Sequence, residues 1–173
     1  ITDETCTLSI DSSGKSLHKR GYRLETNEAP ISEALAAGLI LLSGWDKKSH
    51  FVDGMCGSGT FLVEAAKIGA NIPANINREH FAFQDWPDYD EELWHLIRSS
   101  QLKRAQDCYG RVIGYDLNPD TVASAKLNIA NSGLEDYIEI HCENFFETKK
   151  PEGPTHLVFN PPYGVRIQGD SPE

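Results

Sequence analysis

From His50 onward the chain alternates short apolar stretches with longer amphipathic ones, and this rhythm constrains the fold more than any other feature. His50–Gly54, Arg111–Tyr115, Tyr137–Cys142 and Thr155–Phe159 are short, rich in β-branched and aromatic residues, and read as four strands. Ser58–Gly69 carries Phe61, Leu62, Ala65, Ala66 and Ile68 on or near one helical face. A further helix starts at Asn118-Pro119, where the asparagine caps and the proline fits the first turn, and runs to Ser132-Gly133. Strands separated by helices need right-handed crossovers, which place the strands parallel. The expected fold is α/β and Rossmann-like, a largely parallel sheet flanked by helices.

Upstream, residues Thr5–Ile10 alternate, Asp11–Gly14 is a turn cluster, and Ser16–Arg23 offers a return strand, so residues 1–28 are predicted to form a β-hairpin lead-in. Residues 29–173 form the main domain. Its first helix carries Ile31, Ala34, Leu35, Gly38, Leu41 and Leu42 and ends near Ser43-Gly44. A segment of about 70–110 breaks the rhythm. It passes Phe81, Phe83 and Trp86, contains a predicted helix over Asp88–Asp107, and is expected to pack beside the sheet as an insertion. After the fourth strand the sequence becomes polar, so the doubly wound domain is expected to be incomplete at its C-terminus.

With 173 residues the chain suits one domain, and 39% hydrophobic against 24% charged residues is the balance of a soluble globular protein. No apolar run has the length of a membrane span, and the first residues lack a signal-peptide pattern, so no membrane association is expected. Cys6, Cys56, Cys108 and Cys142 show no metal-ligand spacing, so no metal is expected, and reduced, mostly buried thiols in a cytoplasmic protein follow. The net charge of −10 argues against a surface that grips a polyanion unaided.

Four motifs fall at strand ends. The first, Asp53-Gly54-Met55-Cys56-Gly57-Ser58-Gly59-Thr60-Phe61, joins a strand to a helix. Its glycines allow a tight turn and close approach to a ligand, and the helix N-terminus favours an anionic group. Leu62 stands where a dinucleotide fingerprint needs its third glycine, and the loop lacks the lysine of a phosphate-binding loop. Asp53 would repel a pyrophosphate but suits a ligand with an ammonium beside its carboxylate, as in the amino-acid end of S-adenosylmethionine. The second motif is Gly114-Tyr115-Asp116-Leu117-Asn118-Pro119, where Asp116 can accept from a ribose diol. In the third, Cys142–Phe146, Asn144 can bond an adenine edge and Phe145 or Phe146 can pack on its face; a plain loop with core phenylalanines fits as well.

The fourth motif, Asn160-Pro161-Pro162-Tyr163-Gly164, follows the apolar strand Leu157–Phe159. Prolines stiffen the backbone and remove donors, so the Asn160 side-chain oxygen and the Pro161 carbonyl can both accept from one NH₂ group. Pro162 fixes the turn, and Tyr163 offers a face to an unstacked base. No general base is needed, because an attacking amine loses its proton after methyl transfer.

Taken together, Asp53–Phe61 and Asn160–Gly164 resemble the amino-group methyltransferases with an (Asn/Asp)-Pro-Pro-(Tyr/Phe) signature. Ser16–Arg23, Ala29–Ala37 and Glu64-Ala65-Ala66, with the aromatic insertion around Phe81-Ala82-Phe83, narrow the resemblance to the THUMP-associated RNA methylase family, which includes guanine-N2 methyltransferases of large-subunit ribosomal RNA. The resemblance implies a class I methyltransferase fold. It implies S-adenosylmethionine bound by Asp53, Cys56, Gly57, Gly59, Thr60, Asp116, Asn144 and Asn160, and a target base held by Asn160, Pro161, Pro162 and Tyr163. It implies RNA as partner, with binding aided by a separate THUMP domain outside this sequence. Two positions depart from the family: Asn144 is often Asp, and the proline common after the first Asp is Gly54 here, a change expected to matter little. Adenine-N6 in DNA, a transfer-RNA guanine, or a non-catalytic cofactor-binding module remain alternatives.

Overall fold

The computed structural model describes residues 6–23 and 31–161. Eight regular elements follow one another: α1 (Glu33–Leu42), β1 (His50–Asp53), α2 (Thr60–Gly69), α3 (Glu91–Leu102), β2 (Val112–Asp116), α4 (Pro119–Ser132), β3 (Ile138–Cys142) and β4 (Thr155–Leu157). The four strands are parallel, in the order β3-β2-β1-β4. This is the α/β architecture expected from the alternation.

Local chemistry accounts for the helix ends. The Ser32 side chain accepts from the Leu35 N–H at the start of α1, and Asn118 accepts from Asp120 and Thr121 at the start of α4, with Pro119 in the first turn. Gly133 closes α4 at φ +68°, a conformation that favours glycine.

Two successive right-handed crossovers in one direction put α2 and α4 on the same face of the sheet. That face carries the main core: Phe51, Val112 and Ile138 from the strands, Leu62, Ala65 and Ala66 from α2, and Ala36 and Ile40 from α1. Helix α2 is buried on nearly every side. The opposite face carries Val52, Ile113 and Tyr115 with Phe145 against them. A cavity of about 310 Å³ lies there, lined by Val52, Tyr115, Phe145, Thr155 and Leu157 among others.

The lead-in differs from expectation. Residues 6–23 contain no strand, and Leu8 and Ile10 are exposed. The predicted turn does form, with Asp11 Oδ1 accepting from the Ser13 and Gly14 N–H groups at 2.8 and 3.1 Å. The carbonyls that a hairpin ladder would use go elsewhere. Arg78 Nη2 donates to the Ser13 and Lys15 carbonyls, each at 2.6 Å, and the Ala82 and Phe83 N–H groups donate to Ser13 and Ser12. The insertion therefore clasps the lead-in. Its aromatic centre is Phe81, Phe83, Tyr89 and Trp94, with Arg78 over the Phe81 ring at 4.7 Å. Its helix α3 is shorter than the predicted Asp88–Asp107 and has no buried residue, leaving Leu93 and Leu96 exposed. The thiols also depart from the prediction: Cys56 is buried and Cys108 half-buried, but Cys6 and Cys142 are exposed.

Candidate functional site

In an open parallel sheet, ligands bind at the C-terminal strand ends where the strand order reverses. Here that point lies above β1, between β2 on one side and β4 on the other. The motif residues Asp53, Asp116 and Asn160 all fall at these ends.

Asp53 closes β1 and is 1% exposed. Its Oδ1 accepts from the Met55 N–H at 3.1 Å, while its Oδ2 is buried with no hydrogen-bond partner. Burial pushes its carboxyl up to about 7, the Met55 bond opposes the rise, and the Asp116 charge adds to it. A buried carboxylate oxygen without a donor is costly, and the cost is removed by a cation placed against it.

The loop after Asp53 turns on two left-handed glycines, Gly57 at φ +53° and Gly59 at φ +81°, the latter capping α2. The Cys56 N–H donates to the Tyr115 carbonyl at 2.8 Å, the Gly59 N–H returns to the Cys56 carbonyl at 2.8 Å, and the Cys56 thiol lies in the main core, where burial raises its pKa. Cys56 thus braces the loop through its backbone, with its thiol at 4.0 Å from the Gly57 carbonyl. Asn128 on α4 donates to the Ser58 carbonyl at 3.1 Å. Thr60 follows as the first residue of α2, 3% exposed.

Gly54 matters more than its sequence context suggested. A Cβ at this position would stand 2.8 Å from the Phe145 ring, so the ring packs where a side chain would be. Phe145 in turn meets Tyr115 and Phe159, while Phe146 is exposed.

Asp116 ends β2 and ties two loops together. Its Oδ2 accepts from the Gly57 N–H and its Oδ1 from the Asn118 N–H, each at 3.0 Å. Each oxygen keeps a further lone pair for a ligand. The Asn144 amide is engaged locally: its Oδ1 accepts from the Phe146 N–H at 3.1 Å and its Nδ2 donates to Glu147 Oε1 at 2.7 Å. Asn160 and Pro161 are exposed just beyond β4, next to the end of β1 by the register Val52↔Leu157. Pro162 and Tyr163 lie outside the described residues. Among the described residues no group of three or more His, Cys, Asp or Glu side chains is arranged to hold a metal, and no helix is long and apolar enough to cross a membrane.

Two buried groups of α2, Glu64 and Lys67, lie outside the four strand-end motifs and extend a stripe that begins at Thr60 of the first motif. Thr60, Glu64 and Lys67 recur at helical spacing and form a polar stripe along α2, all three buried. The segment Arg20–Arg23 covers that stripe. Tyr22 Oη donates to Glu64 Oε1 at 3.1 Å, Arg20 pairs with Glu64 at 3.5 Å, and Lys67 Nζ sits 4.9 Å from the centre of the Tyr22 ring. Burial raises the Glu64 pKa and lowers that of Lys67. Arg23 Nη2 donates to Thr60 Oγ1 at 2.6 Å. A polar stripe reads as a solvent face from periodicity alone; its signal was Tyr22 and two arginines within four residues of an otherwise ordinary lead-in.

The site therefore presents an unpaired carboxylate oxygen beside a helix N-terminus whose first N–H groups have no intrahelical partner. A zwitterionic amino acid meets both demands, with its ammonium to Asp53 and its carboxylate to the start of α2.

Residues 20–171 match the RMKL-like methyltransferase domain. The ribosomal RNA large subunit methyltransferase K/L of Desulfotalea psychrophila is 38% identical over 169 residues, covering 93% of this chain and 23% of that protein. The protein of the same name from a Marinomonas strain is 39% identical over 176 residues, covering 96% of this chain and 24% of its own length. Among solved structures, SMU.472 in complex with S-adenosylhomocysteine superposes with a TM-score of 0.83 at 42% identity, covering 92% of this chain and 42% of that one. A predicted N6-adenine-specific DNA methylase from Listeria monocytogenes gives 0.84 at 38% identity, with the same coverage of 92% and 42%. The chain thus spans about a quarter of these curated relatives.

Proposed function

The chain belongs to the RMKL-like methyltransferase domain family, and from that premise we propose that it is the S-adenosylmethionine-binding and catalytic core of an enzyme that methylates the exocyclic N2 amine of a guanine in large-subunit ribosomal RNA. The observation that carries the cofactor half is the buried, unpartnered Oδ2 of Asp53 beside the N-terminus of α2. The names of the K/L relatives support the RNA half.

When bound, S-adenosylmethionine supplies an electrophilic methyl group. Asp53 receives the ammonium, and Gly57, Gly59 and Thr60 with the first turn of α2 receive the carboxylate. Asp116 accepts from the ribose while keeping its two backbone bonds. Asn144 and Phe145 border the adenine, the Asn144 amide keeping one N–H and one lone pair beyond its bonds to Glu147 and Phe146. Asn160 Oδ1 and the Pro161 carbonyl accept from the target NH₂, which aims the nitrogen lone pair at the methyl group. Pro162 holds that turn and Tyr163 stacks on the extruded base. RNA affinity comes largely from parts of the whole protein outside this chain, a THUMP domain among them, and the protein acts in the cytoplasm.

Incubating the full-length protein with labelled S-adenosylmethionine and unmodified ribosomal RNA, then identifying the product nucleoside by mass spectrometry, tests this. N2-methylguanosine is expected. N6-methyladenine formed on DNA would instead favour the activity in the name of the Listeria structure. Cofactor binding without transfer to either substrate would leave a non-catalytic module.

A further inference from the structure

Arg23 occupies an unusual electrostatic position. Its Nη2 bridges Thr60 Oγ1 at 2.6 Å and the Ile31 carbonyl at 2.8 Å, so one guanidinium joins the first residue of α2 to the residue before the α1 cap. Its side chain is 11% exposed, and its Nε is buried without a partner among the described residues. Two helix N-termini already make this region positive, and a buried cation there is unfavourable. The acid paired with it is Glu33, at 3.9 Å and itself buried. The other contacts of this strap, Tyr22 and Arg20 on Glu64, lie one turn further along α2 and supply packing.

We propose that Arg23 is a positioning residue for the amino-acid end of the cofactor: acting through Thr60, it fixes the first turn of α2, whose N–H groups receive the ligand carboxylate. The inference rests on S-adenosylmethionine being the ligand. Thr60 also lies 3.4 Å, hydroxyl to hydroxyl, from Ser58, whose carbonyl Asn128 holds, so the glycine loop is gripped from α4 on one side and from Arg23 on the other.

The test is calorimetric titration of the full-length protein with S-adenosylhomocysteine and with 5′-methylthioadenosine, which keeps the nucleoside and lacks the amino-acid end. Arg23→Met is expected to weaken S-adenosylhomocysteine about tenfold or more and to leave 5′-methylthioadenosine unchanged. Arg23→Lys should restore part of the loss. Thr60→Val should cost a similar factor, and the double variant no more than the more affected single, because the Arg23 effect on the ligand passes through Thr60. Equal losses for the two ligands, no loss, or additive losses would overturn the proposal. If Arg23→Met does not fold, Arg23→Lys and Thr60→Val decide it by the same ligand contrast. Wild-type protein that binds neither ligand would instead refute the cofactor assignment itself.

Discussion

Replacing Asp53 by asparagine tests the central feature of the site without removing its shape. Burial, with the Asp116 charge adding to it, raises this carboxyl from an ordinary 3.8 to about 7. A group with a folded pKa above its unfolded value is protonated more readily in the folded state. Its contribution is therefore greatest below about pH 4, falls as pH rises towards 7, and is flat above that. Moving from 3.8 to about 7 corresponds to about 4 kcal/mol, more than half of which is lost between pH 5 and pH 8. Asparagine cannot ionise, so that slope disappears. The substitution has its own cost: an NH₂ placed where Oδ2 now stands finds no acceptor, about 1–3 kcal/mol at every pH. The charge dominates at pH 8 and the unpaired amide at pH 5. Urea unfolding of the ligand-free protein should show the variant gaining about 2–3 kcal/mol relative to wild type between pH 5 and pH 8. Saturating S-adenosylhomocysteine, whose ammonium pairs the carboxylate, should erase the wild-type loss at pH 8, while 5′-methylthioadenosine should not. A wild-type-to-variant difference that is the same at both pH values would refute the assignment of an uncompensated buried carboxylate.

Three further substitutions probe separate parts of the site. Asn160→Ala should lower the rate of methyl transfer by about 100-fold, through lost orientation of the amine, and weaken calorimetric S-adenosylhomocysteine affinity far less. Gly59→Ala forces a side chain to φ +81° with its Cβ 3.4 Å from Ala125, and should destabilise the protein by about 1–2 kcal/mol in thermal unfolding as well as weakening the cofactor. Tyr22→Phe removes the hydroxyl donor to the buried Glu64 and should cost about 1–2 kcal/mol in the same measurement; no loss would mean that Arg20 alone satisfies that carboxylate.

The strands and helices around the site were legible because each is set by local chemistry: period, caps and glycine turns all lie within a few residues of the element they define. Asn118-Pro119 at the start of α4 and Gly133 at its end are examples. What was not legible depends on partners far apart in the chain. The Asp11 turn formed as read, yet no hairpin followed, because Arg78 takes the Ser13 and Lys15 carbonyls from more than 60 residues away. Gly54 looked interchangeable with proline until Phe145, on another strand end, filled the space beside it. Lys67 was not singled out and Glu64 entered only through the family resemblance, because the partners that bury them, Arg20 and Tyr22, lie more than 40 residues earlier. The paired motifs at Asp53 and Asn160 were legible at a distance only because an alternating strand pattern fixes which ends of which strands must meet.

The acidity of the chain, 26 acidic against 16 basic residues, then takes on a more specific meaning. An acidic surface opposes binding to a polyanion. On the proposed cofactor assignment, the carboxylate pair at the ends of β1 and β2, with Asp116 raising the Asp53 pKa, faces a different ligand. S-adenosylmethionine carries a sulfonium and an ammonium against one carboxylate, a net charge of one positive; loss of the methyl group leaves a neutral product. Two carboxyls at the strand ends therefore favour the substrate form of the cofactor over the product form by Coulomb attraction. On the proposed assignment these two carboxyls, a small part of the acidic excess, draw the methyl donor rather than repel it.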